Sequence, residues 1–397
     1  MTKLNPRPWW RLSFFVFMML VIEFLDEFAY SALEAARPLI RDTFTLTYVE
    51  VGLITTIPII VATLVEPIVG LYADSGKRRT LIAVGGVLFG LGLIIQGAAS
   101  SFWLFIVGAT LQAPASGVFV NLAQASLMDD APKRRENRMA LWTFSGSLAV
   151  VIGPLLLAAM LALGSSWRVF FVGSGVLSIM IALWLTRLSA FPTLYSADNE
   201  EDETVRTNAS RVVDLLRRRD IWRWLALLQA SDLMLDVLFS LLALYMVDVV
   251  GVSQAQASLA IAVWTGIGLL GDFLLIPLLE RVKGLTYLRF SAVCELILFP
   301  MFLLIEVWWA KLLLLGLIGL FNAGWYAILQ GKLYDALGDQ SGAVLIVGNA
   351  AGIVGALLPV VLGLIAQSFG LGSAMWVLLL GPIALLIGLP KRDVRSA

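Results

Sequence analysis

The first apolar segment of the chain, residues 12–37, carries acidic side chains and a tyrosine at helical spacing. They are Glu23, Asp26, Glu27, Tyr30 and Glu34. Steps of three and four residues place them along one side of an α-helix. An ionised acid at the centre of a lipid bilayer costs about 2.5–3.5 kcal/mol on insertion scales. The first three acids must therefore line a water-filled cavity, pair with a partner or carry protons, and they predict a site for protons or substrate.

Two more aspartates, Asp232 and Asp236, lie one helical turn apart in a later apolar segment and share a face. They are further candidates for binding a proton or substrate. Glu34 stands three residues before Arg37, and we expect these two to form a structural ion pair. Asp248, at the end of the segment that holds the two aspartates, is expected to be solvated.

Composition indicates a membrane protein. Of 397 residues, 59% are hydrophobic and only 14% are charged, whereas a soluble protein carries about 25% charged residues. The net charge is zero, which gives no support to a nucleic-acid partner. There is no histidine, and Cys294 is the one cysteine. These counts exclude an internal disulfide, histidine or cysteine-cluster metal sites and Ser-His or Cys-His catalysis, so proton chemistry falls to carboxylates.

A membrane-spanning helix needs about 20 apolar residues, and the chain divides into twelve such segments. They lie at about 12–37, 48–72, 80–100, 102–127, 138–164 and 167–187, then 222–249, 255–279, 285–306, 310–334, 340–368 and 372–389. The polar stretch between the sixth and seventh is too hydrophilic to enter lipid. We therefore predict an all-α polytopic protein with an N-terminal six-helix bundle (1–187), a cytoplasmic linker (188–221) and a C-terminal six-helix bundle (222–397). The first segment is read as a retained helix, because its acids do not fit a signal peptide.

Lysine and arginine collect in the cytoplasmic loops of membrane proteins. With both termini in the cytoplasm, 24 of the 28 lysines and arginines lie on that side. Only Arg37, Arg41, Arg168 and Lys311 fall on the other side. The distribution predicts a multi-pass protein of the cell inner (plasma) membrane with both termini cytoplasmic.

The chain also matches itself at a spacing of 206 residues. Asp26 falls on Asp232, Glu66 on Asp272, and Asp74 on Glu280. Acids inside membrane spans are rare, so their coincidence indicates an internal duplication. Parallel halves related by an axis along the membrane normal are a common transporter plan, which predicts a binding site between the halves near the midplane.

The loop after the second span carries a family resemblance. It reads Gly70-Leu71-Tyr72-Ala73-Asp74-Ser75-Gly76-Lys77-Arg78-Arg79. This resembles the signature of the major facilitator superfamily, a glycine, an aspartate four residues later, then a glycine and basic residues. One residue, rather than the usual two, separates Asp74 from Gly76. In that family the loop latches the halves together on the cytoplasmic side, which implies a gate or coupling role for Asp74 and Arg78, with Glu280 as the weaker copy.

Other positions carry the resemblance further. Gly146 and Gly153-Pro154 in the fifth span are similar to the glycine-proline motif of the drug:proton antiporters in this family, although Leu157 and Ala158 stand where two glycines are usual. The arginine that those antiporters carry in the fourth span is replaced by alanine. Their mechanism therefore cannot simply be carried over to this chain.

The resemblance also suggests roles for residues elsewhere in the spans. Glu66 and Asp272, in the cytoplasmic halves of the second and eighth spans, are candidates either for a gate or hydrogen bond between the halves, or for a proton site. Aromatic residues on helices that commonly border the central cavity are Trp142, Trp264, Trp325 and Tyr326. Packing or anchoring at the membrane interface is the alternative for each. Glu295, in the usually peripheral ninth helix, is expected to be structural.

The signs of the buried charges favour a function. The presumed cavity is rich in Asp and Glu and has almost no deep Lys or Arg. A site that binds a small anion would instead be expected to contain a buried arginine. This predicts a proton-coupled carrier for a neutral, amphipathic or cationic small molecule, working by alternating access, with export by antiport preferred. A proton symporter that takes up a sugar or similar polar solute is the alternative.

Two other classes are disfavoured. An intramembrane aspartyl protease lacks support because the sequence has no Gly-x-Gly-Asp motif, and because the repeat and latch fit transport better. A channel or sensor is the other class, and a proton-dependent, saturable flux would exclude a channel. We expect no enzymatic activity, no metal and no cofactor, with the proton gradient as the energy source. The expected partners are a small-molecule substrate, protons and the lipid bilayer, with no nucleic acid, and the expected state is a monomer.

Overall fold

The computed structural model describes residues 13–73, 78–130, 135–185, 187, 218–279, 281–337 and 343–390, without the side chains of some helical residues. Three predicted site residues are affected. Asp74 and Glu280 lie outside the described residues, and so does the side chain of Glu66, whose backbone is helical. Most of the predicted linker, residues 188–217, also lies outside.

The described chain is built from α-helices. The first six are α1 (Phe14–Phe44), α2 (Tyr48–Ala73), α3 (Arg78–Ala98), α4 (Phe102–Asp130), α5 (Arg135–Ala162) and α6 (Trp167–Leu185). The rest are α7 (Arg219–Asp232), a π-helical turn (Leu233–Val237), α8 (Leu238–Asp248), α9 (Gln254–Leu279), α10 (Gly284–Leu304), α11 (Trp308–Asn322), α12 (Trp325–Leu337), α13 (Ala343–Phe369), α14 (Leu371–Val377) and α15 (Leu380–Gly388).

Ten stretches of described helix are long and apolar enough to cross a membrane. They correspond to ten of the twelve predicted spans; α1 and α13 account for the other two. The seventh predicted span is continuous through the π-helical turn and begins at Arg219, three residues earlier than expected. The tenth is interrupted at Ala323 and Gly324, which separate α11 from α12.

Two helix starts are stabilised by the same device. At the start of α2, the backbone N–H of Thr47 donates to Glu50 (2.8 Å) and that of Glu50 donates to the Thr47 hydroxyl (3.3 Å). At the start of α9, Ser253 and Gln256 make the reciprocal bonds at 2.9 and 3.2 Å. Each is a capping box, which satisfies backbone donors that the first turn leaves free. The two boxes are 206 residues apart, which is the spacing of the predicted repeat.

Backbone turns recur at the same spacing. Thr45 and Gly251 both have positive φ (52° and 76°) where α1 and α8 end, and so do Gly164 and Gly370 (77° and 85°) after α5 and α13. The left-handed conformation suits glycine because it has no Cβ. These equivalences support the duplication that the acids predict.

Contacts divide the chain into two compact units. The first comprises Met1–Tyr30, Val61–Val150 and Arg168–Ser196; the second comprises Ser31–Ile60, Val151–Trp167 and Ala197–Ala397. The boundary falls inside α1, α2 and α5 and after the first residue of α6, so these helices are divided between the units.

Glycine pairs hold the helices of the first unit close together. A Cβ added to Gly92 of α3 would lie 2.7 Å from the carbonyl oxygen of Gly108 in α4, and one added to Gly108 would lie 2.8 Å from the Gly92 carbonyl oxygen. Gly90 and Gly175 make the same reciprocal contact between α3 and α6, at 2.5 Å. Small residues at such crossings allow backbones to approach closely, which is how membrane helices associate without help from water.

The break between α11 and α12 is supported by side chains of the second unit. Gly324, with φ of 71°, donates its backbone N–H to Asp272 of α9 at 2.9 Å. The hydroxyl of Tyr287 donates to the Ala323 carbonyl at 3.1 Å, and Asn322 donates to the Met234 carbonyl in the π-helical turn at 2.9 Å. Backbone groups that the two interruptions release from helical pairing thus find partners.

Candidate functional site

Two acids of α1 in the first unit, Asp26 and Glu27, are partly exposed. Between Asp26 and Arg37, the positions of α1 that are not buried are Asp26, Glu27, Tyr30 and Leu33, which lie on one side of the helix. Tyr30 is 37% exposed. Since three of these four side chains are polar, this surface suits water rather than lipid.

Neighbouring helices position two of these acids. Ser116 of α4 donates its hydroxyl to the Asp26 carboxylate at 2.7 Å. Glu23 is buried at 8% exposure and lies against Gly146 of α5, where an added Cβ would be 2.6 Å from Glu23 Oε1. Gly146 was identified from its resemblance to an antiporter motif, and its lack of a side chain makes room for this carboxylate.

The charges around these acids are negative. None of the described lysine or arginine side chains forms an ion pair with Glu23 or Asp26. The Ser116 hydroxyl is a neutral donor, so it orients Asp26 without neutralising it. Glu23, Asp26 and Glu27 fall within five residues, and carboxylates so close cannot all be ionised cheaply. A proton or an organic cation is therefore the ligand that this arrangement favours.

The second unit holds the other predicted acids. Asp232 ends α7 and Asp236 lies in the π-helical turn, a feature that is frequent at functional sites. Gln229 donates its amide N–H to Asp232 at 2.9 Å. Asp236 is exposed although residues 237–246 after it are all buried. Sequence reasoning overlooked Gln229; a polar amide one turn before an intramembrane aspartate was the available signal.

The second unit also contains two buried bases, Arg37 and Lys311. Arg37 is 2% exposed and bonds to both oxygens of Glu34, which is 1% exposed. Its guanidinium also donates to the Thr55 hydroxyl at 2.6 Å. Lys311 is 2% exposed and donates to the Phe302 carbonyl at 2.6 Å. The predicted Glu34–Arg37 pair is confirmed, and because its positive charge is already matched, Arg37 is not a free clamp for an anion.

A polar cluster closes the predicted outer ends of four helices in the second unit. Arg41 at the end of α1 forms an ion pair with Asp248 at the end of α8, and Tyr48 of α2 donates its hydroxyl to the same aspartate at 2.7 Å. Gln254 of α9 donates to Asp42 at 3.4 Å. The expectation that Asp248 is simply solvated was wrong, because tertiary packing brings a residue 207 positions away within bonding distance.

Below this cluster the helices approach closely. Cβ atoms added to Gly52 of α2 and Gly363 of α13 would lie 2.7 Å from the Pro359 carbonyl oxygen and 2.5 Å from the Tyr48 carbonyl oxygen. Thr56 of α2 donates to the Ala356 carbonyl at 2.6 Å. A cavity of about 10 Å³, partly lined by Ser240 and Arg37, remains here, with room for one water at most. This side of the second unit is therefore shut.

Weakening the cluster should open that side. In a Cys294→Ser background, we expect Ser240→Cys to react slowly with a membrane-impermeant maleimide, because Ser240 is 6% exposed. Adding Asp248→Asn should raise the labelling rate about fivefold, since a partly exposed ion pair is worth up to about 1 kcal/mol. Asp220→Asn, which breaks the exposed pair with Arg218 at the start of α7, is the matched control. Equal labelling rates in all three proteins would show that the cluster does not hold this side shut.

The remaining predicted residues have varied surroundings. Arg78 begins α3 and is half-buried, while Asp272 bonds to Gly324 within its own unit. Trp142 and Trp264 are buried at 3% and 7% exposure. Trp325 has no exposed surface and donates to Ser291 at 2.8 Å, so it borders no open space in this conformation, whereas Tyr326 is 56% exposed. Among the described residues, no three His, Cys, Asp or Glu side chains are grouped so that they could hold a metal ion.

Comparison with known proteins places the chain among transporters. The profile of the Major Facilitator Superfamily matches residues 16–356. The fosmidomycin resistance protein of Escherichia coli (strain K12) is 25% identical over 164 residues, which is 41% of this chain and 40% of that protein. The chain thus spans less than half the length of the first curated relatives that it matches.

Two further proteins match along nearly the whole chain. The uncharacterized MFS-type transporter YfnC of Bacillus subtilis (strain 168) is 23% identical over 374 residues, covering 91% of this chain and 89% of that protein. The crystal structure of a bacterial homologue of the human lysosomal transporter Spinster, in an inward-facing and unoccupied conformation, superimposes with a TM-score of 0.73 at 18% identity, covering 95% and 94% of the two chains. The helical architecture and the match over residues 16–356 lead to one conclusion: this polytopic membrane protein belongs to the major facilitator superfamily.

Proposed function

We propose that the chain is a proton-coupled secondary transporter that exports a neutral, amphipathic or cationic small molecule in exchange for protons by alternating access. The observation that carries this proposal is the acid stripe of α1, in which Asp26 and Glu27 are accessible and Glu23 lies buried beside them. Its residues attract positive charge, and no described base neutralises Glu23 or Asp26.

Competition between the proton and the substrate for one carboxylate couples their movements across the membrane. An ionised acid attracts a cationic group, whereas protonation removes the charge that holds it. If proton and substrate bind alternately on opposite sides of the membrane, each cycle exchanges one for the other. The Ser116 hydroxyl supports both states, because it can donate to the carboxylate and accept from the carboxylic acid.

Export is preferred over uptake for two reasons. The exposed side of α1 combines acids with the aromatic ring of Tyr30, which suits an amphipathic cation. One relative over part of the chain is a resistance protein, and resistance by transport is achieved by export.

Transport by wild-type protein in proteoliposomes tests the proposal. With an imposed pH gradient, we expect a lipophilic cation such as tetraphenylphosphonium to move against the direction of proton flow, and lactose not to be driven. In lightly buffered detergent solution, adding the cation should release protons. Proton uptake on adding lactose, together with lactose movement along the proton gradient, would instead establish the symporter.

A further inference from the structure

Glu295, at the middle of α10, is a buried acid that is not part of the proposed site on α1. The residue has no exposed surface, and both carboxylate oxygens are buried without a hydrogen-bond partner in the described part of the chain. An isolated carboxylate in such a place would carry a large desolvation cost, so burial favours the neutral, protonated form of the group. The sequence suggested only a structural role for it.

The charged groups on neighbouring elements do not replace that proton. Helices α11, α12, α14 and α15 pack against α10. The last two have no titratable side chain, and Lys311 of α11 is held by the Phe302 carbonyl. On α10 itself, Arg289 donates to the Pro390 carbonyl, and Cys294 and Tyr287 add no positive charge. The remaining charged residues of α12 are Lys332 and Asp335, the latter with a side chain outside the described residues.

The face of α10 that contains Glu295 also holds the break between α11 and α12. Ser291, one turn before Glu295, accepts the indole N–H of Trp325 at 2.8 Å, and Trp325 is the first residue after the break. Tyr287, one further turn away, donates to the Ala323 carbonyl inside the break at 3.1 Å. Interrupted membrane helices are places where backbone groups can change partners. A charge on Glu295 would need polar partners or water, and the break is an interrupted backbone bonded to the same face of α10, one and two turns from Glu295.

We propose that Glu295 is a second proton-binding site, and that its loss of the proton is coupled to rearrangement of the break at Ala323–Gly324. The step is a simple ionisation: the carboxylic O–H bond breaks, the electron pair stays on the carboxylate, and the proton passes to water. This site is separate from the acids of α1 and belongs to the second unit, so it can exist whether or not α1 drives transport.

Infrared spectroscopy of the full chain in lipid detects the proposed proton directly. We expect wild type at neutral pH to show a C=O stretching component of protonated carboxyl groups that is lost in Glu295→Gln, and that declines as the pH is raised. Glu306→Gln is the matched control, because Glu306 is an exposed glutamate two residues beyond the end of α10. An unchanged component in Glu295→Gln, or a component that stays constant over the whole pH range, would overturn the proposal.

Hydrogen exchange tests the coupling to the break. After correction for intrinsic rates, peptides covering residues 320–328 should exchange severalfold faster in alkaline buffer for wild type, and at a constant rate for Glu295→Gln. Identical pH dependence in both proteins would rule out coupling. Glutamine matches the neutral acid in size, so this variant is expected to fold; Glu295→Asp, which keeps a protonatable group, should shift the infrared component and not remove it. Neither measurement requires transport, so failure here is distinct from failure of the α1 site.

Discussion

Replacement of Asp26 by asparagine should strongly reduce transport driven by a proton gradient. The amide has the size of the acid and still accepts the Ser116 hydroxyl, but it cannot bind and release a proton. We expect the gradient-driven rate to fall at least about tenfold, equivalent to about 1.4 kcal/mol. Substrate counterflow, which needs no net proton movement, should persist. Both rates are measured in proteoliposomes with the substrate identified for wild type.

Three further variants test whether the loss of transport is specific to the acids of α1. Glu23→Gln should give a similar loss, because Glu23 lies in the same stripe against Gly146. Ser116→Ala should have a smaller effect, since it removes an orienting hydrogen bond and leaves the acid in place. Glu306→Gln, at an exposed acid far along the chain, should transport like wild type. Full gradient-driven transport by both Asp26→Asn and Glu23→Gln would disprove a proton site on α1.

Removal of Arg37 should give the largest loss of stability among single substitutions. Arg37→Met leaves Glu34, at 1% exposure, as a buried charge without its partner. Breaking a buried ion pair in this way costs about 3–5 kcal/mol. With an unfolding entropy of about 2.1 cal/mol/K per residue, this cost lowers Tm by about 4–6 °C. The thermal transition of the purified protein in detergent measures the change.

The double variant Glu34→Gln/Arg37→Met separates charge from packing. With both charges gone, no uncompensated ion remains, so the double variant should be clearly more stable than Arg37→Met alone. A double variant as unstable as the single one would mean that the methylene stem of Arg37 and its bond to Thr55 matter more than the charge pair.

The helices were largely predictable because the bilayer imposes their length and composition. Helix α3, for example, is found at Arg78–Ala98 where 80–100 was expected. The interruptions were not predictable. The apolar run from Trp308 to Leu337 contains four glycines, and only the structure shows that the helix breaks at Gly324. The π-helical turn after Asp232 leaves no pattern in residue spacing. Both depend on bonds from other helices, such as those of Asp272 and Asn322.

The candidate site was predictable in part. Spacing alone identified Glu23, Asp26, Glu27 and Tyr30, since intramembrane acids are conspicuous. Spacing could not show that Ser116 would hold Asp26, because serine is common in membrane helices and carries no signal by itself. The expectation that Asp248 is solvated was also wrong, because its partner Arg41 lies 207 residues earlier in the sequence.

By itself, the sequence determined that this is a polytopic helical membrane protein of the major facilitator type, with acids on one side of its first helix. Hydrophobicity and helical periodicity are local properties, so the order of residues is sufficient to reveal them. Only the tertiary structure decided which acids are accessible, which are matched by a base and which stand alone. Glu34 faces Arg37, Asp26 meets Ser116, and Glu295 has no partner among the described residues. These differences arise from contacts between helices distant in sequence, and in a low-dielectric interior such contacts decide which carboxyl groups are available to bind a proton.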